Sequence, residues 1–368
     1  MPARARMPAL KIGVHTARLP IIQGGMGVGI SLSGLASAVA NEGAIGVIAA
    51  AGIGMNEKDF YSNYTKANTA ALQNEIRKAR SMTNGILGVN IMVAFTNFAE
   101  LATTAIEEDI DIIFSGAGLP LNLPKFRPPG SKTKLIPIIS SGKAARILCT
   151  HWLKKHHCLP DAFVVEGPKA GGHLGFKKNQ LFDPQYALEK LVEDVIKATK
   201  EFADRHNFKI PIIAAGGIFT GADIRKYLDI GIDGVQMGTR FVATNECDAD
   251  IEFKNLYIES TSDDIIIIDS PVGMPGRAIR NKYIDEVSAG TKKPVKCPYH
   301  CIITCDFKNA PYCIANALIN AQKGRFKNGF AFAGANAYMI KKIIPLKELM
   351  LSLIAEYNDT FSCLKPAF

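Results

Sequence analysis

The chain has 368 residues and is 48% hydrophobic, enough for one large domain with a smaller appendage. Its net charge of +9 is scattered over short basic pairs such as Lys341-Lys342 and Lys292-Lys293. Without a basic stripe and interleaved aromatics a nucleic-acid surface is not expected, whereas an anionic cofactor or substrate suits the charge. No run reaches the roughly 18 apolar residues of a membrane helix, and the basic start from Met1 to Arg6 lacks the apolar core of a signal peptide. Eight cysteines in such a chain are expected to be thiols, which points to the cytoplasm.

Short β-branched runs predict strands at 19–23, 44–49, 87–92, 111–115, 135–140, 162–165, 211–215 and 234–237. They are apolar throughout rather than alternating, as strands covered on both faces should be. Helix-like stretches lie between them at 32–41, 70–82, 97–107, 142–155, 186–206 and 221–229, with Ser31 and Thr220 placed as N-caps. Eight such units in series predict an α/β fold, a (β/α)8 TIM barrel over residues 1–259. A doubly wound sheet is the main competitor, but the first turn has no G-x-G-x-x-G. Residues 260–330 read as a small, mostly helical insert or lid over the barrel mouth, and 331–368 as a helical segment packing back on the barrel. Within the insert Arg277 and Arg280 are candidates to meet an acidic substrate, or else surface residues.

In such a barrel the chemistry is built from the loops at the carboxyl ends of the strands, and the unusual residues fall there. Gly24, Gly25, Met26 and Gly27 follow the first strand, and Asn90 lies in the third. Ser115 to Pro120 follow the fourth, and Ser140 to Lys143 the fifth. The sixth runs into Glu166-Gly-Pro-Lys-Ala-Gly171-Gly172-His173-Leu-Gly175, the seventh into Gly216-Gly217, and the eighth into Gln236-Met237-Gly238-Thr239. Glycines let backbone N–H groups close on a ligand that a Cβ would repel. The loops after strands seven and eight, with Gly171 and Gly172, suit a phosphate. Gly25 to Gly27, Asn90 and Gln236 suit the edge of a flat ring. Flavin mononucleotide fits this shape, and so does a sugar phosphate. His173 is the side chain best suited to proton transfer; Lys143 is a candidate to neutralise flavin or substrate charge, or a solvated helix lysine.

These motifs resemble the nitronate monooxygenase (2-nitropropane dioxygenase) family and its relatives, the flavin-dependent enoyl-ACP reductases. The resemblance covers roughly residues 19–285 and resumes from Ala333 to Glu348. It implies FMN in the barrel, with Gly25, Met26, Gly27, Asn90, Glu166, Gly171, Gly172, Gly216, Gly217, Gln236, Met237, Gly238 and Thr239 as cofactor contacts and His173 as the catalytic residue. The family's usual glutamine is Glu166 here, which is nearer to the reductases. The implied activity is oxidative denitrification of alkyl nitronates with oxygen, giving a carbonyl compound and nitrite. The alternative is NAD(P)H-dependent reduction of an enoyl thioester. A third, non-redox class is a phosphate-ligand barrel. The partner expected is a small-molecule substrate, with neither nucleic acid nor membrane; a homodimer is left open.

Cys297, Cys301, Cys305 and Cys313 fall in one short stretch of the insert. Their spacing is not the usual C-x2-C of zinc or iron–sulfur sites. Positions i, i+4 and i+8 share one helix face, so structural thiols are the weightier reading and a metal or cluster the lesser. No residue is assigned as a metal ligand.

Overall fold

The computed structural model describes residues 7–291, 297 and 300–359, so Lys292-Lys293 and both chain ends lie outside the described residues. Eight parallel strands form the barrel: β1 (Ile21–Gln23), β2 (Gly46–Ala49), β3 (Leu87–Met92), β4 (Ile112–Gly116), β5 (Lys134–Ile139), β6 (Phe163–Glu166), β7 (Ile212–Ala215) and β8 (Gly234–Met237). Each pairs with the next from β2 to β8, and β8 pairs with β1. The ring closes where Ile22 bridges Ile45. Two strands match their expected bounds to the residue, and the rest lie within two.

The strands carry no polar face because both faces are covered. Ile22, Val47, Phe114, Ile136, Val164 and Ile213 fill the lumen, which Leu10, Ile12 and Ala17 of an N-terminal hairpin plug from below. Ile21, Ile48, Val89, Ile113, Leu135, Val165 and Val235 pack outward in the main core beneath the helices.

The barrel helices are Ser33–Asn41, Tyr64–Met82, Phe98–Glu107, Gly142–His156, Leu188–His206 and Gly221–Ile230. Thr220 caps the last of these in a capping box with Asp223, as expected. The second helix begins at Tyr64, ahead of its expected start, because the Asn63 side chain accepts the Lys66 N–H there. Ser31 does not cap. Its hydroxyl accepts the Met26 N–H at 2.7 Å and donates to the Met26 carbonyl at 3.1 Å. Asp248 serves that helix start instead, accepting the N–H groups of Leu32, Gly34 and Leu35 at 2.8, 3.2 and 3.1 Å. A carboxylate offers two charged oxygens to several amides at once, which a hydroxyl does not.

The insert adds a β-hairpin to its helices. Strands Ile265–Asp269 and Pro275–Ile279 form an antiparallel hairpin, and the second also pairs with the short strand Gly172–His173. Helices Lys282–Ser288 and Ile314–Gln322 follow. The β-branched run Ile265 to Ile268 favours the extended form. Helix Leu346–Asp359 returns to the barrel, where Glu356 accepts the Gly221 N–H at 2.7 Å. No described helix is long and apolar enough to cross a membrane.

Candidate active site

One cavity of about 600 Å³ opens at the carboxyl ends of the strands. Gly25, Met26, Gly27, Asn90, Glu166, Gly171, Gly172, His173, Gly216, Gly217, Gln236, Met237, Gly238 and Thr239 all line it. Turns that are far apart in sequence therefore meet at a single mouth. The insert adds an apolar side through Ile302, Ile314 and Leu318, facing Phe60 and Tyr64.

Local backbone explains two of these glycine turns. A Cβ at Gly25 would stand 2.5 Å from the Asn90 Cβ, so only glycine lets the first loop lie against β3. Gly216 and Gly217 have φ of +97° and +85°, where L side chains are strained. The segment around Gly334 is stitched to the same wall. Thr239 Oγ1 accepts the Gly334 N–H at 3.0 Å, which leaves its own hydroxyl hydrogen to donate. Asn336 Nδ2 donates to the Gly217 carbonyl at 2.8 Å.

His173 Nε2 lies 2.7 Å from Ser270 Oγ, and the ring packs edge-on to Phe332 with centroids 4.9 Å apart. Among the described residues its Nδ1 has no hydrogen-bond partner. Burial holds the imidazole down at about 4, so the ring is neutral at pH 7. Glu166 ends β6 in register with Ala215. Its carboxyl has no hydrogen-bond or ionic partner among the described residues, and burial pushes it up to about 7. What exposure it keeps is to the cavity that it lines. An acid and a base, both perturbed by desolvation, thus face one enclosed space.

Three candidates lie elsewhere. Lys143 is exposed and outside the lining, because its helix turns Gly142, Ala145 and Leu148 inward instead. Arg277 is buried and donates to the carbonyls of Pro168 and Ala170 at 2.6 and 2.5 Å, so it pins the loop that carries His173 rather than meeting substrate. Burial pushes its guanidinium down to about 10. Arg280 is exposed and pairs with Asp285 at 2.9 Å.

A family model described as nitronate monooxygenase matches residues 9–356. The chain belongs to the nitronate monooxygenase family. It is an enzyme, a flavin-type oxidoreductase. A probable nitronate monooxygenase of Staphylococcus aureus (strain Newman) is 27% identical over 307 residues, spanning 73% of this chain and 77% of that protein. A (3aS,4S,5R,7aS)-5-hydroxy-7a-methyl-1-oxo-octahydro-1H-indene-4-carboxyl-CoA dehydrogenase of Mycobacterium tuberculosis is 28% identical over 274 residues. That match spans 74% of this chain and 66% of the relative. Among solved structures, FabK from Thermotoga maritima superposes with a TM-score of 0.71 at 26% identity, covering 94% of both chains. A nitroalkane oxidase from Streptomyces ansochromogenes, 20% identical, shares the fold with a TM-score of 0.72 over 95% of this chain and 98% of its own.

Two residues of this family member's site escaped the sequence reading. Ser270 and Phe332, the neighbours of His173, lie outside the glycine turns that end the barrel strands. The signal for Ser270 was present: a run of four isoleucines, a Gly-containing turn and a second apolar run is a hairpin pattern. Nothing in the sequence says which strand that hairpin would join.

Proposed function

We propose that this cavity binds FMN and carries out oxidative denitrification of alkyl nitronates, with oxygen as co-substrate and a carbonyl compound and nitrite as products. The observation that supports this most is the neutral, enclosed His173, which lines the cavity with Nε2 occupied by Ser270 and Nδ1 without a hydrogen-bond partner among the described residues. The glycine cradle fits the cofactor, since Gly216 and Gly217 adopt backbone that a side chain would strain. Gly216, Gly217, Gly238 and Thr239 would hold the phosphate; Gly25, Met26, Gly27, Asn90 and Gln236 would border the ring. When bound, FMN supplies the electron transfer between nitronate and oxygen.

The chain's own residues bind and orient. His173 Nδ1 donates a hydrogen bond to a nitronate oxygen when it carries the ring proton, or takes the α-proton of a nitroalkane in the other tautomer. Ser270 fixes the ring in either case, as its hydroxyl can donate to Nε2 or accept from it. The apolar side of the cavity excludes water from the reacting carbon.

A second reading, NAD(P)H-dependent reduction of an enoyl thioester, is favoured by Glu166 and by the apolar extension along Phe60, Tyr64, Ile314 and Leu318. One assay separates them. Oxygen uptake with a nitronate and no pyridine nucleotide supports the first. NAD(P)H oxidation driven by an enoyl thioester, without such uptake, replaces it with the second. A protein that purifies colourless and takes up no flavin would overturn both in favour of a phosphate-ligand barrel.

A further inference from the structure

The insert's four cysteines are brought together by features that the flavin chemistry does not use. His300 adopts a left-handed φ of +43° and donates its N–H to Cys297 Sγ at 3.1 Å. Cys301 follows His300 directly in the sequence. Amide-to-sulfur bonds of this kind stabilise negative charge on metal-bound sulfur. Cys301 is then fastened to the barrel: its carbonyl accepts the Thr96 N–H at 3.2 Å, and Ile303 donates to the Ala94 carbonyl at 2.9 Å. The Cys305 N–H turns back to the Ile302 carbonyl at 3.2 Å. Cys313 occupies the N-cap position of helix Ile314–Gln322, whose Ile314 and Leu318 line the same cavity wall as Cys301 and Ile302.

Cys301 lies within electrostatic reach of Cys297, Cys305 and Cys313, and Cys305 within reach of Cys297 and Cys313. None of the described cysteines forms a disulfide. The His300 ring is engaged with Phe307, centroids 4.6 Å apart, so the donors here are sulfur. Among the described residues no three His, Cys, Asp or Glu side chains stand together as a single-ion site. A tetrahedral ion with bonds of about 2.3 Å would need its sulfurs nearly in contact. A polynuclear cluster places its cysteines farther apart around a larger centre than a single ion does.

We infer that Cys297, Cys301, Cys305 and Cys313 are the ligands of an iron–sulfur cluster set into the wall of the active-site cavity. Inorganic iron and sulfide are the other components. Each cysteine loses one thiol proton as its Fe–S bond forms, with no change of oxidation state at the cysteine sulfur. The site uses different side chains from the proposed flavin chemistry, so either can fail without the other.

The test is made on the full chain, purified without oxygen and then reconstituted with ferrous and ferric iron in equal amounts, sulfide and dithiothreitol. Iron, acid-labile sulfide and zinc are counted per chain, and the dithionite-reduced protein is examined by electron paramagnetic resonance. The expected result is about four iron and about four sulfide per chain, with a cluster signal distinct from any flavin radical. Cys305→Ala and Cys313→Ala should each lose most of that iron and sulfide while keeping bound flavin. The wild-type metal count decides the matter even where a variant fails to fold. Reconstituted protein without sulfide, with zinc alone, or with a mass two hydrogen atoms lower from a disulfide would each overturn the inference.

Discussion

The two ends of the barrel treat charge in opposite ways. At the amino ends, carboxylates bind neighbouring strands together. Asp111 accepts the Leu87 N–H at 2.8 Å and pairs with Arg80 at 2.6 Å. Asp161 accepts the Leu135 N–H at 2.9 Å and meets Arg127 and Lys134 at 3.0 and 3.3 Å. Asp233 accepts the Ile212 N–H at 3.0 Å and pairs with Lys209. A pocket of about 610 Å³ opens at this end too, lined by Arg127, Lys134 and Asp161, whose charges already answer one another. At the carboxyl ends, Glu166 and His173 have no ionic partner among the described residues, although Lys169 also lines their cavity. Compensated charge holds strands in register; uncompensated charge is available for chemistry.

That contrast can be broken from either end. The largest effect is expected from His173→Ala, which should keep bound flavin yet lose turnover by ~10²–10⁴-fold; unchanged kcat would remove the histidine from the reaction. Asp161→Ala leaves a strand amide and two cations unanswered, so it should destabilise the fold by about 3 kcal/mol in urea melts. Turnover per folded molecule should stay near wild type, and a loss there would mean the amino end also serves catalysis.

A finer effect concerns pH. The Glu166 value of about 7 stands above the ordinary 4.5, so its contribution to stability is full below pH 4.5 and lost as pH rises toward 7. The His173 value of about 4 stands below the ordinary 6.5, so its contribution is full above pH 6.5 and lost as pH falls toward 4. Between pH 4.5 and 6.5 the two slopes oppose each other. In flavin-free protein, Glu166→Gln should expose the acid-side loss and His173→Ala the alkaline-side loss. Parallel thermal-melt profiles for both variants would contradict the assignment. The smallest effect belongs to Lys209→Ala, which removes an exposed partner and should shift stability by no more than about 0.5 kcal/mol. A shift several times larger would show that the amino-end pairs act as a network.

Much of this was legible in the sequence for a physical reason. Strands buried on both faces leave unbroken apolar runs, so β3 and β8 could be read to the residue. The glycine turns were legible because each follows such a run. What failed depended on contacts between distant segments. Ser31 looked like a cap, but its hydroxyl turns back to Met26 and Asp248 accepts amides at that helix start. Lys143 looked close to the mouth in sequence, yet the helix turns it outward. Arg277 read equally as a substrate contact or a surface residue until the carbonyls of Pro168 and Ala170 claimed it.

The Asp248 carboxylate also bears on biosynthesis. The first barrel helix emerges from the ribosome more than 200 residues ahead of the group that satisfies its leading amides, the Leu32 N–H standing 216 positions upstream of its acceptor. Until that late aspartate appears, the opening βα unit has an unfinished start. The nascent amino-terminal half is thereby a dependent fragment, and the barrel matures only when its last quarter arrives.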